Sequence, residues 1–245
     1  MQALSDSFGL AFGLIVGLDP DLLEIVSLSL KVSLLAVSFA LILGLPLGAA
    51  LAVGRFPGRF GLTVVINSFM GMPPVVVGLL VYLALSRAGP LGVLGLLYTP
   101  SAMVIAQVLL ITPIVVSLTR QNIEELDSQY REYFLSLGIK RLPKLLTFLW
   151  EARFSLVTVC LAGFGRAISE VGAVMIVGGN IDHLTRVMTT AIALETSKGD
   201  LALAMALGVI HMLIAFSVNF LIALIRPSNN SSITSKMFSR YFELC

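Results

Sequence analysis

The sequence predicts an all-α integral membrane protein with about five transmembrane helices, its N-terminus outside and its C-terminus cytoplasmic. Three observations carry that expectation. Of 245 residues, 57% are hydrophobic and 12% charged, and the mean hydropathy is +0.97, whereas soluble domains carry about 25% charged residues. Apolar runs recur at residues 29–53, 62–85, 96–118, 154–177 and 201–225, each near the roughly 20 residues a helix needs to cross hydrocarbon. The bases are one-sided. Eleven of the sixteen Lys and Arg (Arg55, Arg59, Arg120, Arg131, Lys140, Arg141, Lys144, Arg153, Arg226, Lys236, Arg240) fall in alternate loops or the C-terminal tail, and the opposite loops hold only Arg87, Arg186 and Lys198. Basic residues beside spans are retained in the cytoplasm, which fixes the orientation.

The same composition excludes several classes. No segment outside the apolar runs is long enough for an ordinary soluble domain. The net charge of +2 is spread over several loops, which argues against nucleic acid. Cys160 and Cys245 lie far apart, with neither disulfide-framework nor metal-ligand spacing. No Walker, Gly-x-Ser-x-Gly or His-Glu-x-x-His pattern occurs, so no catalytic residues, cofactor or metal are assigned. ATP hydrolysis would have to come from another polypeptide.

In chain order, residues 1–27 lack the basic region of a cleavable signal and carry Asp6, Asp19 and Asp21. They are read as an external interfacial segment, with Phe8–Leu18 too short to span. The first span contains Pro46 among small residues that would admit a close neighbour, and Lys31 near its outer end is expected to snorkel. The second span carries Asn67 and the consecutive Pro73 and Pro74. These remove two amide donors and disfavour α-conformation at Met72. Irregular backbone at membrane depth is tolerated only beside protein or a wet cavity, so this break either faces a pathway or interface or is a packed kink. Gln107, Thr112 and Pro113 repeat the pattern in the third span.

Residues 118–153 are the one long polar interruption. Their apolar residues recur at helical spacing among acids and bases, predicting two amphipathic helices joined by an elbow. Gly138 supplies the turn, and Ile139, Leu142, Leu145 and Leu146 supply the second helix's apolar face. The fourth span holds the costliest side chains, Arg166 and Glu170, spaced i, i+4 on one helical face. A lone charge at the bilayer centre costs about 2.5–3.5 kcal/mol even on the lenient insertion scale. The two are therefore expected to pair away from lipid, as a structural or gating pair or as an anion-attracting guanidinium.

Beyond that span, Gly178-Gly179-Asn180 permits a sharp turn, and Thr185–Asp200 reads as an outer loop with a short helix dipping into the outer leaflet. The last span is ordinary apart from His211 and Asn219. His183 stands elsewhere with no acid at metal spacing in the sequence, so neither histidine is read as a ligand. Residues 226–245 form a polar, then aromatic and basic, cytoplasmic tail.

Four stretches together resemble a known family over residues 28–225. They are the ProProValValValGly run, the Glu132-Tyr133-Phe134 triplet three residues before Gly138, the Arg166-Ala-Ile-Ser-Glu170-Val-Gly-Ala run, and the following Gly-Asn. They look like permeases of the molybdate, sulfate and tungstate group of ABC importers, and most like the tungstate type. The resemblance implies a type I ABC importer (MetI-like) fold in the cell inner membrane and a homodimer of this chain. It also implies two cytoplasmic ABC ATPase subunits, an external oxyanion-binding protein and alternating access. In that reading Glu132, Tyr133, Phe134 and Gly138 are the ATPase-coupling residues, and Arg166, Glu170, Pro73, Pro74 and Asn180 line a pathway or gate. Molybdate or another oxyanion is the alternative cargo, and a carrier or channel independent of an ATPase is the alternative class. One departure stands out. The family's triplet is Glu-Ala-Ala and its motif ends apolar-Leu-Pro, whereas this chain has Tyr133, Phe134 and Phe148-Leu149-Trp150-Glu151, implying a bulkier knob and an ATPase groove shaped to match.

Overall fold

The first long helix is stitched to the third span by glycines, and this contact organises the rest of the chain. In the computed structural model, which describes residues 2–54, 56–136, 138 and 141–225, every regular element is helical. These are α1 (Gln2–Val16), α2 (Pro20–Val53), α3 (Arg59–Met70), α4 (Pro74–Leu85), α5 (Pro100–Ser136), α6 (Arg141–Glu151), α7 (Arg153–Ile168), α8 (Gly172–Gly178), α9 (Met188–Lys198) and α10 (Leu201–Ile225), with a 3₁₀ turn at Gly92–Leu94. A Cβ at Gly44 would lie 2.6 Å from Val115 Cγ1, and one at Gly48 would lie 2.6 Å from the Val116 carbonyl oxygen. The small residues flanking Pro46 thus let the backbones of α2 and α5 approach closely, and α2 continues through the proline.

Three helices (α2, α5 and α10) are each long and apolar enough to cross a membrane, and five crossings result if the bent pairs α3/α4 and α6/α7 count as one span each. α2 starts nine residues ahead of the expected first span, because Asp19 caps it by accepting the amides of Asp21 and Leu22, both at 3.1 Å. α1 packs on α10, with Ala11 buried in the largest core cluster.

The second span breaks where the prolines demand it. Pro73 caps α4, Pro74 is its first residue, and α3 and α4 differ in direction by 99°. Two expectations need correction. The third span does not end near residue 118: α5 runs unbroken to Ser136, so the elbow's first arm is the continuation of a transmembrane helix. Nor is the fourth span one helix. α7 stops at Ile168, Ser169–Val171 are not helical, and α8 begins at Gly172. Glu170 causes this locally, its Oε1 accepting the Ala173 amide at 3.0 Å, so that it acts as a cap for a new helix.

Candidate gate and coupling elbow

The two backbone breaks meet. α4 packs against α8 so closely that a Cβ at Gly78 would lie 2.7 Å from Ala173 Cα and one at Gly172 would lie 2.8 Å from Val75 Cγ2. The Pro73–Pro74 break is thereby placed beside the Glu170 break. Arg166 and Glu170 pair as their spacing predicts, Nη1 to Oε2 at 2.5 Å. Glu170 is buried while about a third of the Arg166 side chain is exposed, so the cation is the accessible member. Thr189 of α9 donates to the Glu170 carbonyl at 2.9 Å, tying the break to the outer loop.

Gln107 of α5, which repeats in the third span the polar pattern of the second, finds its partner at the end of α7. Fully buried, it donates from Nε2 to the Ala167 carbonyl at 3.1 Å, and its Oε1 has no partner among the described residues. Beside it, Ser29, Ser33, Glu170 and Thr189 enclose a space of about 10 Å³, about the size of one water-sized probe. Asn180 lies apart, at the far end of α8, where Gly179 (φ 72°) and Asn180 (φ 50°) take left-handed conformations. Asn180 Nδ2 reaches the Thr190 carbonyl at 3.5 Å, and its Oδ1 is buried without a partner among the described residues. Thr185 closes this turn, donating to the Gly178 carbonyl at 2.6 Å and accepting the Ile181 amide at 2.9 Å.

At the basic end, Gly138 has φ 62°, and a Cβ there would meet nothing within 4 Å. Its conformation rather than crowding selects glycine. The knob is built on aromatics. Phe134 meets Phe148 edge-on with centroids 5.1 Å apart. Phe148 is only 1% exposed and joins Ala49, Ala52 and Ile123 in a core cluster that seats α6 on α2 and α5. Lys144 spans these rings, 5.6 Å and 5.4 Å from their centroids, and pairs with Asp127. Tyr133, by contrast, is 62% exposed, and Glu132 is exposed too. Leu145 packs on the cluster and Leu146 faces outward; Ile139 and the Leu142 side chain lie outside the described residues.

Sequence reading missed the clamp beneath the elbow. Arg59 donates from Nε to the Leu51 carbonyl at 2.8 Å and from Nη2 to the Ala52 carbonyl at 3.2 Å, closing the C-terminus of α2. It also pairs with Glu124, which Arg120 holds at 2.6 Å from the same helix. Positive charge in this loop was legible, but its partner 65 residues away was not.

At the other end, His183, which has no acid at metal spacing in the sequence, is brought by the fold to two acids of the first long helix. Its Nδ1 lies 2.8 Å from Glu24 Oε2, and ligand atoms of Asp21, Glu24 and His183 fall within 4.8 Å of one another. The hydrogen bond to Glu24, with the negative charges of Asp182, Glu24 and Asp21 nearby, raises the His183 pKa above 6.5. His211 has a buried Nδ1 with no partner among the described residues.

Residues 44–230 match the family described as binding-protein-dependent transport system inner membrane component. The chain is 40% identical to the tungstate uptake system permease protein of Peptoclostridium acidaminophilum over 91% of its own length and 97% of that protein's. It is 42% identical to a probable anion ABC transporter permease protein of Haloferax volcanii, over 82% of this chain and 88% of that one. Its fold is similar to a chain of the MetNI methionine ABC transporter in an inward-facing conformation, with TM-score 0.68 and 16% identity over 84% and 95% of the two chains. The chain has the MetI-like fold expected of it, and it belongs to the family of binding-protein-dependent transport system inner membrane components, as a multi-pass inner-membrane permease.

Proposed function

We propose that this chain is the permease subunit of a tungstate importer, driven by a separate ATPase and supplied by an external oxyanion-binding protein. The observation that carries this reading is 40% identity over 97% of a tungstate uptake permease. In the working assembly two copies of the chain would enclose the pathway, and two ATPase subunits would bind the elbows. The exposed Tyr133 and Glu132, set on a knob held rigid by Phe134 and Phe148, suit a surface that a partner covers.

Alternating access then follows from one continuous rod. At 1.5 Å per residue, the 37 residues of α5 extend about 55 Å. Displacement of the knob by ATPase closure is carried along α5 to Gln107, whose bond to Ala167 pulls on the end of α7. There the Arg166–Glu170 pair and the α4/α8 crossing form a hinge, because both spans lack continuous helix at that level. Reorienting them opens the path toward the binding protein, and hydrolysis resets it. Arg166, the more exposed member of the pair, meets the anion or gates it.

The test is reconstitution of the permease with its ATPase and candidate binding proteins. Stimulation of ATP hydrolysis by tungstate-loaded binding protein supports the reading, equal stimulation by a molybdate-loaded one broadens the cargo to oxyanions, and failure to assemble with an ATPase contradicts it.

A further inference from the structure

A cavity with a polar lining lies between α5 and α7, away from the gate. Its volume is about 300 Å³, at the low end for small-molecule sites. Gln121 and Asn122 of α5 face Ser155 and Thr158 of α7 across it, with Phe154 at one edge. Each of these amides and hydroxyls can donate a hydrogen bond as well as accept one, and no carboxylate lines the space. Gln121 is already oriented, because its Nε2 reaches Ser117 Oγ at 3.5 Å while Ser117 donates to Asn67 Oδ1 at 2.8 Å. At the edge, the Arg153 guanidinium lies over the Phe154 ring, 4.6 Å from its centroid, and donates to the Trp150 carbonyl at 2.9 Å. The same face of α7 continues toward the gate through Ala162, Arg166 and Ser169, at helical spacing from Ser155 and Thr158. Apart from Arg166 these are small, and an ionisable side chain within a span faces protein or a water-filled cavity rather than lipid.

Resting on the importer reading above, we propose that this groove is an exit-side binding site for a tetrahedral inorganic oxyanion, held by Gln121, Asn122, Ser155 and Thr158. Neutral donors suit a station that must release its cargo. A fixed guanidinium inside the site would retain a dianion, whereas conduction requires binding strong enough to enter and weak enough to leave. Arg153 at the edge supplies attraction without direct ligation.

Equilibrium dialysis of radioactive tungstate against the assembled permease–ATPase complex, without binding protein, tests the site. Saturable binding of one ion per permease is expected, competed by molybdate and weakened at least fivefold by Thr158→Val or Asn122→Leu, with Thr158→Ser retaining it. Absence of saturable binding in a complex whose ATPase responds to loaded binding protein would overturn this site and leave the importer reading standing. Unchanged binding in both variants would overturn it as well. A complex that ignores every loaded binding protein would remove the importer reading, and this inference with it.

Discussion

Glu170 divides its two carboxylate oxygens between Arg166 and a backbone break: Oε2 takes Arg166 Nη1 at 2.5 Å, and Oε1 accepts the Ala173 amide at 3.0 Å. One side chain thus neutralises a membrane charge and starts a helix. Glu170→Gln keeps an acceptor for Ala173 and loses only the ion pair, whereas Glu170→Ala loses both. Breaking a fully buried pair costs about 3–5 kcal/mol, but the partial exposure of Arg166 reduces this to about 1–2 kcal/mol. Removing the cap adds about 1 kcal/mol. Thermal denaturation in detergent should rank wild type above Glu170→Gln above Glu170→Ala, with transport impaired in both; equal midpoints for the two variants would show that the cap contributes nothing.

Glycine substitutions separate crowding from conformation. Gly78→Ala and Gly48→Ala each drive a methyl into backbone less than 3 Å away and should destabilise by about 1–3 kcal/mol. Gly165→Ala and Gly208→Ala meet nothing within 4 Å and should leave the midpoint near wild type. Comparable losses at all four positions would contradict the helix packing.

Gly138 needs a positive φ rather than space. Asparagine tolerates that conformation, while a β-branched residue does not. Gly138→Asn should therefore keep most coupled uptake and Gly138→Val should lose it, with both proteins inserted at wild-type levels. Gly138→Asp, which adds a charge at the knob, should also abolish transport.

Within the knob, Phe134 and Tyr133 differ in kind. Phe134→Ala removes packing on Phe148 and should lower permease stability. Tyr133→Ala removes an exposed ring and should leave stability unchanged while weakening ATPase binding; normal co-purification of Tyr133→Ala would exclude it from the contact.

His183 should titrate above 6.5, because its bond to Glu24 favours the protonated ring. A raised folded-state pKa means that the tie between α2 and the outer loop stabilises fully below about pH 6.5 and is lost as pH rises through the elevated value. Nuclear magnetic resonance of the ring protons should show this, and Glu24→Gln should bring the titration back toward 6.5. An identical midpoint in wild type and variant would remove the tie.

Much of this architecture was legible because its causes are local. Two adjacent prolines must break a helix wherever they fall, a glycine at an elbow must turn, and charges four residues apart stay within reach of each other even though the helix ends between Arg166 and Glu170. The break at Ser169–Val171 was not legible, since no proline marks it and its cause is a side chain that caps a helix only after leaving the previous one. The continuity of α5 was hidden for the opposite reason. Its polarity changes at residue 118 as it leaves lipid, and a change of solvent looks like a change of element. The contacts of Gln107 with Ala167, Arg59 with Glu124 and His183 with Glu24 join residues far apart in sequence, and a single sequence records no such pairing.

ATP hydrolysis by the reconstituted transporter, measured with tungstate-loaded and empty binding protein, reads cargo and coupling through the elbow together. Stimulation by the loaded protein should disappear with Gly138→Val while the permease remains in the membrane. Stimulation that survives Gly138→Val would contradict coupling through the elbow, and no stimulation by any oxyanion-loaded protein would contradict the importer itself.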